Sequence, residues 1–140
     1  MKATDIIESR ILVVDDEPDM LNLLQRSLEP DLNCRVLTAP NAETALEILA
    51  RTPCDLILAD IKMPGMGGFG LLERVKEAWP DQTVVMMTGY GDIETAVAAM
   101  RQGAYDFITK PFDHDALVMR LEKALERCRL IRENQRLQLD

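Results

Sequence analysis

The chain has 140 residues, the size of one domain, and its 47% apolar and 29% charged residues are the composition of a folded protein. Lys and Arg total 16 against 24 Asp and Glu, a net charge of -8 that argues against non-specific nucleic-acid binding. No apolar run approaches the roughly 18 residues of a membrane span, and the first ten residues lack a hydrophobic centre, so neither a span nor a secretory signal is expected.

Short β-branched or wholly apolar runs at 11–14, 35–39, 56–59, 83–87 and 107–109 predict strands. Runs without polar alternation suit a parallel sheet covered on both faces. Helical periodicity fills the gaps. Pro18 fits a first turn, and Met20, Leu21, Leu24 and Leu28 share a face behind it. Asn41 fits the cap of the next helix, with Ala42, Ala45, Leu46 and Leu49 on one side; Leu71, Leu72 and Val75 mark a third. Asp92 fits the cap of a fourth, read as burying Ile93, Ala96, Val97 and Met100, and Gly103 fits its left-handed stop. Alternating strands and helices predict an α/β fold: a doubly wound parallel sheet of five strands with helices on both faces.

The last helix opens near Asp113 and meets no Pro or Gly up to Asp140. At 1.5 Å per residue it extends about 40 Å, more than a small sheet can cover. Leu117, Leu121, Ala124 and Leu125 fit its inner face; beyond Cys128 it is charged, with Leu130, Ile131, Leu137 and Leu139 left to bury. Leu130, Asn134 and Leu137 fit a short heptad seam, so a solvated tail, a dimeric coiled helix and a linker all stay open. The expected division is a domain over 1–127 and a helical extension over 128–140. Cys34, Cys54 and Cys128 are an odd number without C-x-x-C spacing, and His114 is the single histidine. No zinc site and no disulfide are expected, and the thiols suit a reducing cytoplasm.

Ligands of open α/β sheets bind outside the carboxyl ends of the strands. Reading the residues there gives Asp15 and Asp16, Asp60, Thr88, and Lys110 followed by Pro111. Two carboxylates about 4 Å apart repel by about 4 kcal/mol at an effective dielectric near 20, so three on one edge imply a cation. A hard divalent ion with oxygen ligands, such as Mg²⁺, fits. Taken singly the residues have plainer readings: helix caps at Asp15 and Asp16, a surface ion pair at Asp60, a turn hydroxyl at Thr88, a solvated Lys110. All five falling at the same end of successive strands favours the site.

The segments ILVVDDEPDM, DLILADIKMPGMGG, VVMMTGYGD and GAYDFITKPF together resemble the receiver domain of two-component response regulators. The wording from Thr88 to Phe112 looks most like receivers of the nitrogen-regulation class, which precede ATPase-type transcriptional activators. The resemblance implies a flavodoxin-like fold and a signalling switch in place of a turnover enzyme. It implies that Asp60 accepts a phosphoryl group from a sensor histidine kinase. Asp15, Asp16, Asp60 and the backbone carbonyl of Lys62 would hold Mg²⁺, while Thr88 and Lys110 would bind phosphoryl oxygens. Pro111 would follow a cis peptide, and the switch would run from Thr88 to Phe107. The implied partners are the kinase, an output domain or protein controlling transcription, and a second copy of the chain, in the cytoplasm, with no direct contact to nucleic acid or membrane.

The sequence departs from the family's pattern in three places. Gly67 stands where an acid is common and Gly70 where a larger residue is common, so GMGGFG is expected to be a mobile loop. Phe107 lacks the phenolic hydroxyl often found at the switch position, and Tyr105 is not at that position. Three other functions fit less well. An FMN carrier needs a hydroxyl- and Gly-rich loop where this chain has DDEPD. An aspartyl-nucleophile phosphatase needs a second acid where Lys62 stands. A phosphorylation-independent interaction module would have no need of all five site residues.

Overall fold

The computed structural model describes residues 9–89 and 92–139, with side chains described as far as residue 135. The strands are β1 (Ser9–Val14), β2 (Cys34–Ala39), β3 (Leu56–Asp60), β4 (Thr83–Gly89) and β5 (Asp106–Lys110). The helices are α1 (Pro18–Leu32), α2 (Ala42–Arg51), α3 (Gly67–Ala78), α4 (Ile93–Arg101) and α5 (His114–Leu139). All strand pairs are parallel and the order is β2-β1-β3-β4-β5, the doubly wound arrangement expected.

Successive side chains of a strand point to opposite faces, and here both faces are covered. On one face Ile11, Val13, Leu58 and Met87 pack under Leu24 and Leu28 of α1 and Leu117 and Leu121 of α5. On the other Leu12, Val14, Ile57 and Met86 pack against Leu49 of α2, Leu71 and Val75 of α3 and Ala99 of α4. The inner strands β1, β3 and β4 have no solvent face for polar alternation, which explains their apolar runs, while the edge strands β2 and β5 expose Arg35 and Thr109.

The ladders run past those runs. Asp60 pairs with Met87, Thr88 with Thr109 and Gly89 with Lys110, so Asp60, Thr88 and Lys110 lie within their strands and not just beyond them. α1 continues through Pro30 to bury Leu32. Asn41 Oδ1 accepts from the Thr44 amide at 2.8 Å and Asp113 Oδ2 from the Ala116 amide at 3.1 Å, as caps. Asp92 holds the N-cap position, but its carboxylate takes the Thr95 hydroxyl in place of a backbone amide. Gly103, at φ 108°, follows α4 as the left-handed stop.

Two expectations need correction. GMGGFG is not a free loop: Gly67, Gly68 and Gly70 form the first turn of α3, where Gly68 is buried. The apolar face assigned to α4 is turned: Ala96 and Ala99 are its buried residues, while Ile93 is 72%, Val97 44% and Met100 40% exposed. Small alanines let α4 lie close to the sheet beside Ala104 and Phe107, which leaves the bulkier residues outside. Beyond Cys128, α5 keeps contact with the domain: Arg132 and Gln135 bond Asp55 and Asp81. The three cysteines are buried and form no disulfide. No described helix is long and apolar enough to cross a membrane. Tyr90 and Gly91, the first eight residues, Asp140, and the side chains of Leu137 in the heptad seam and of Leu139 lie outside the described residues.

Candidate functional site

The strand order reverses between β1 and β3, the switch point where doubly wound sheets open a crevice. Asp15 follows β1 and Asp60 ends β3, so both carboxylates fall at that crevice. Carboxylate oxygens of Asp15, Asp16 and Asp60 lie within 4.8 Å of one another. Asp15 is fully buried and Asp60 nearly so, at 8% exposure, whereas Asp16 is exposed. The Asp15 amide donates to Ala39 O at 3.1 Å, and Asp15 Oδ1 accepts from the Glu17 amide at 3.0 Å. Asp60 Oδ1 accepts from the Lys62 amide at 3.1 Å. Each buried acid therefore has one oxygen fixed by backbone and one turned to a cation.

That cation is Lys110. From the end of β5 its ammonium lies 2.7 Å from Asp15 Oδ2 and 3.0 Å from Asp60 Oδ2. Burial, the largest single influence, pulls the Lys110 pKa down, but the bonds and charges of Asp15 and Asp60 together hold it above its ordinary value. The Lys110–Pro111 peptide is cis. Three acids against one ammonium leave the cluster negative, and all its ligand atoms are hard oxygens. The donor set fits a divalent cation of the magnesium type.

Thr88 supplies the other unsatisfied group. It is 1% exposed, and among the described buried side chains its Oγ1 is the atom without a hydrogen-bond partner. An unpaired buried hydroxyl carries a desolvation cost of about 1–3 kcal/mol, so one retained beside an acid cluster suits an anionic ligand. Phe107, half-buried on β5, pairs in register with Met86 and packs into the α4 side of the core. Tyr105 packs on the opposite face, with the Arg127 guanidinium 5.2 Å above its ring.

One contributor escaped the sequence reading. A Cβ on Gly68 would lie 2.4 Å from the Asp60 carbonyl oxygen and 2.5 Å from Ile61 Cα. Only glycine admits this approach of α3 to the backbone that carries Asp60, and the Gly68 amide donates to Ile61 O at 2.9 Å. The glycine cluster was legible, but not which member touches the site. At Gly70 a Cβ would meet the Met66 side chain, 2.4 Å from its Cγ, which occupies the space of the larger residue expected there.

This sheet and its acid-lysine-threonine edge define a class, and residues 11–122 match the response regulator receiver domain. The chain belongs to that family. It is 51% identical over 126 residues to the nitrogen assimilation regulatory protein NtrX of Azorhizobium caulinodans, covering 88% of this chain and 27% of the relative. It is 40% identical over 116 residues to the DNA-binding transcriptional regulator NtrC of Escherichia coli, covering 82% of this chain and 24% of that one. The structure of NtrX from Brucella abortus with ADP superposes with a TM-score of 0.85 at 42% identity, over 94% of this chain and 30% of that chain. The resemblance to receivers of nitrogen-regulation activators therefore holds, and the chain spans about a quarter of the length of these curated relatives.

Proposed function

We propose that Asp60 accepts a phosphoryl group from a phosphohistidine of a sensor kinase and that the product switches an output controlling transcription. One observation carries the reading: Asp60 shares its edge with Asp15 and Asp16, the Lys110 ammonium and the unpaired Thr88 hydroxyl. In the transfer an Asp60 carboxylate oxygen forms the new O–P bond while the P–N bond to the imidazole breaks. The electron pair of that bond returns to the imidazole nitrogen, which leaves as the neutral ring or takes up a proton from solvent. Lys110, freed from the Asp60 oxygen it now contacts, and Thr88 donate hydrogen bonds to the phosphoryl oxygens, where positioning and charge stabilisation dominate. Asp15, Asp16, Asp60 and the Lys62 carbonyl would hold Mg²⁺, which supplies the positive charge that offsets acids and phosphoryl oxygens together.

Charge-assisted hydrogen bonds to an oxyanion are roughly twice as strong as neutral ones, so a phosphoryl group draws Thr88 inward. Phe107 then repacks against the α4 side, where Ile93, Val97 and Met100 already face solvent as an apolar surface for a second copy or a partner. In this reading residues 1–127 are the receiver and 128–140 an extension toward an output domain, in a cytoplasmic protein whose negative charge keeps this segment off nucleic acid. Asp60→Asn decides the first step. With acetyl phosphate and Mg²⁺, the wild type should gain one alkali-labile phosphoryl mass and the variant none. Equal gain in both overturns the assignment.

A further inference from the structure

We propose that Asp55 is the hub of a latch that fixes the direction of α5 beyond Cys128. The latch lies at the amino end of the sheet, away from the acid cluster, and does not rest on the phosphotransfer reading. Asp55 directly precedes β3 and uses every acceptor it has. Oδ2 takes the Arg10 amide of β1 at 2.8 Å, and Oδ1 takes the Arg132 guanidinium of α5 at 3.2 Å. Its carbonyl oxygen takes the Gln82 side-chain amide at 3.1 Å and the Cys128 thiol at 3.0 Å. Farther along α5, Gln135 Nε2 donates to Asp81 Oδ2 at 3.1 Å. The strand edge thus holds α5 at three points over two turns: Cys128, Arg132 and Gln135.

Apolar packing does not explain that docking. The inner stripe of α5 ends at Leu125 and Cys128; Leu130 is 61% exposed, and Ile131 is only half-buried on the wall of a cavity of about 330 Å³. Leu130 therefore makes no packed seam here, and the end of a helix with few packed contacts frays in water. Polar contacts are what hold it. They are also directional: the Asp55 side chain is 14% exposed and already committed on its other oxygen to β1, so Arg132 is received in one orientation. Asp55 and Arg132 are positioning residues, and a segment carried on α5 would be presented along a single axis.

Hydrogen exchange of the whole chain tests the latch. Alanine is a better helix former than arginine, so in an undocked helix Arg132→Ala would leave exchange unchanged or slow it. A latched helix behaves oppositely: amides at 129–135 should exchange about two- to fivefold faster, the scale of one ion pair, while β-strand amides stay as they were. Arg132→Lys should recover most of the protection, and Asp55→Asn should lose it like Arg132→Ala. Residual dipolar couplings should place 129–135 on the axis of 114–127 in the wild type and lose that agreement in Arg132→Ala. Exchange unchanged or slowed in Arg132→Ala, or couplings the same in both proteins, overturns the proposal.

Discussion

At the carboxyl end of the sheet three carboxylates cluster where one ammonium bonds only two of them and a buried hydroxyl has no partner, whereas at the amino end Asp55 has a donor on each oxygen. Both ends gather acids at strand termini, and by composition alone they would look alike. The difference lies in satisfaction. Groups whose needs are met within the chain hold the fold, as Asp55 and Asp81 hold α5. Groups left in charge excess or unpaired are the ones open to a ligand, as Asp16 and Thr88 are to the proposed metal and phosphoryl group. Buried charge locates a site only after its partners have been counted.

Removing Lys110 should give the largest effect, because it strips the buried acids of their cation. Asp15 is fully buried, and breaking a buried pair from one side costs about 3–5 kcal/mol; the 20% exposure of Lys110 puts Lys110→Ala nearer the lower figure. Urea unfolding without divalent ions should show the loss, and Mg²⁺ should restore more stability to the variant than to the wild type. Equal stabilisation of both by Mg²⁺ would mean that the cation and Lys110 do not share the acids. Removing Arg132 from the amino end should cost far less, which makes the pair of variants the sharpest test of the contrast.

Gly68→Ala should rank next. The new methyl would meet backbone, not a flexible side chain, so α3 must move from β3 at a cost of about 1–3 kcal/mol. Gly70→Ala, whose neighbour is the bendable Met66 side chain, should cost less in the same unfolding measurement. Reversal of that order would show that the close approach beside Asp60 is relaxed in solution. Arg120→Ala should be smaller still, about 0.2–1 kcal/mol, because its pair with Asp106 at 2.8 Å has a half-exposed guanidinium.

The sequence disclosed different parts of the molecule to different degrees. The inner strands were legible because burial on both faces leaves a continuous apolar run, and the edge strands β2 and β5 because their β-branched residues persist beside exposed Arg35 and Thr109, yet the strand ends were not, since a ladder continues after apolarity stops. Thr88 and Lys110 are polar and still paired, so the reading placed them one step outside the sheet. The grouping of the candidate site residues was legible because they share one edge of a known topology. Gly68 and Asp55 were not: one depends on a distance between α3 and β3, the other on where α5 returns, and neither leaves a local pattern. The face of α4 was misassigned for a related reason. Periodicity placed Ala96 correctly but counted the large Ile93, Val97 and Met100 with it, while the closeness of a neighbour selects small residues such as Ala99.

The smallest effect at neutral pH belongs to the amino end, and it grows only in alkali. Burial pushes the Cys54 thiol from its ordinary 9.0 up to about 11, with the Asp55 charge adding to the rise and Arg10 opposing it. Cys128 is raised by burial as well. A thiol whose folded pKa is raised binds its proton more tightly in the folded state. Its stabilisation is therefore full below pH 9.0 and is lost as pH climbs from there toward about 11. The Lys110 contribution follows the same sign in a later window, full below the ordinary 10.5 and lost only as pH passes its raised folded value. Urea midpoints between pH 8 and 11 should fall first by the thiols and then by the lysine. Cys54→Ala should flatten the first part of that fall, leaving the share of Cys128 and the opposing share of Lys76, whose pKa burial lowers, and should not touch the second. Asp55→Asn removes the neighbouring negative charge, so Cys54 should titrate lower and alkylate faster at pH 8.5 than in the wild type. An alkylation rate unmoved by Asp55→Asn would mean that burial alone raises the thiol and that the acid serves only as the anchor of α5.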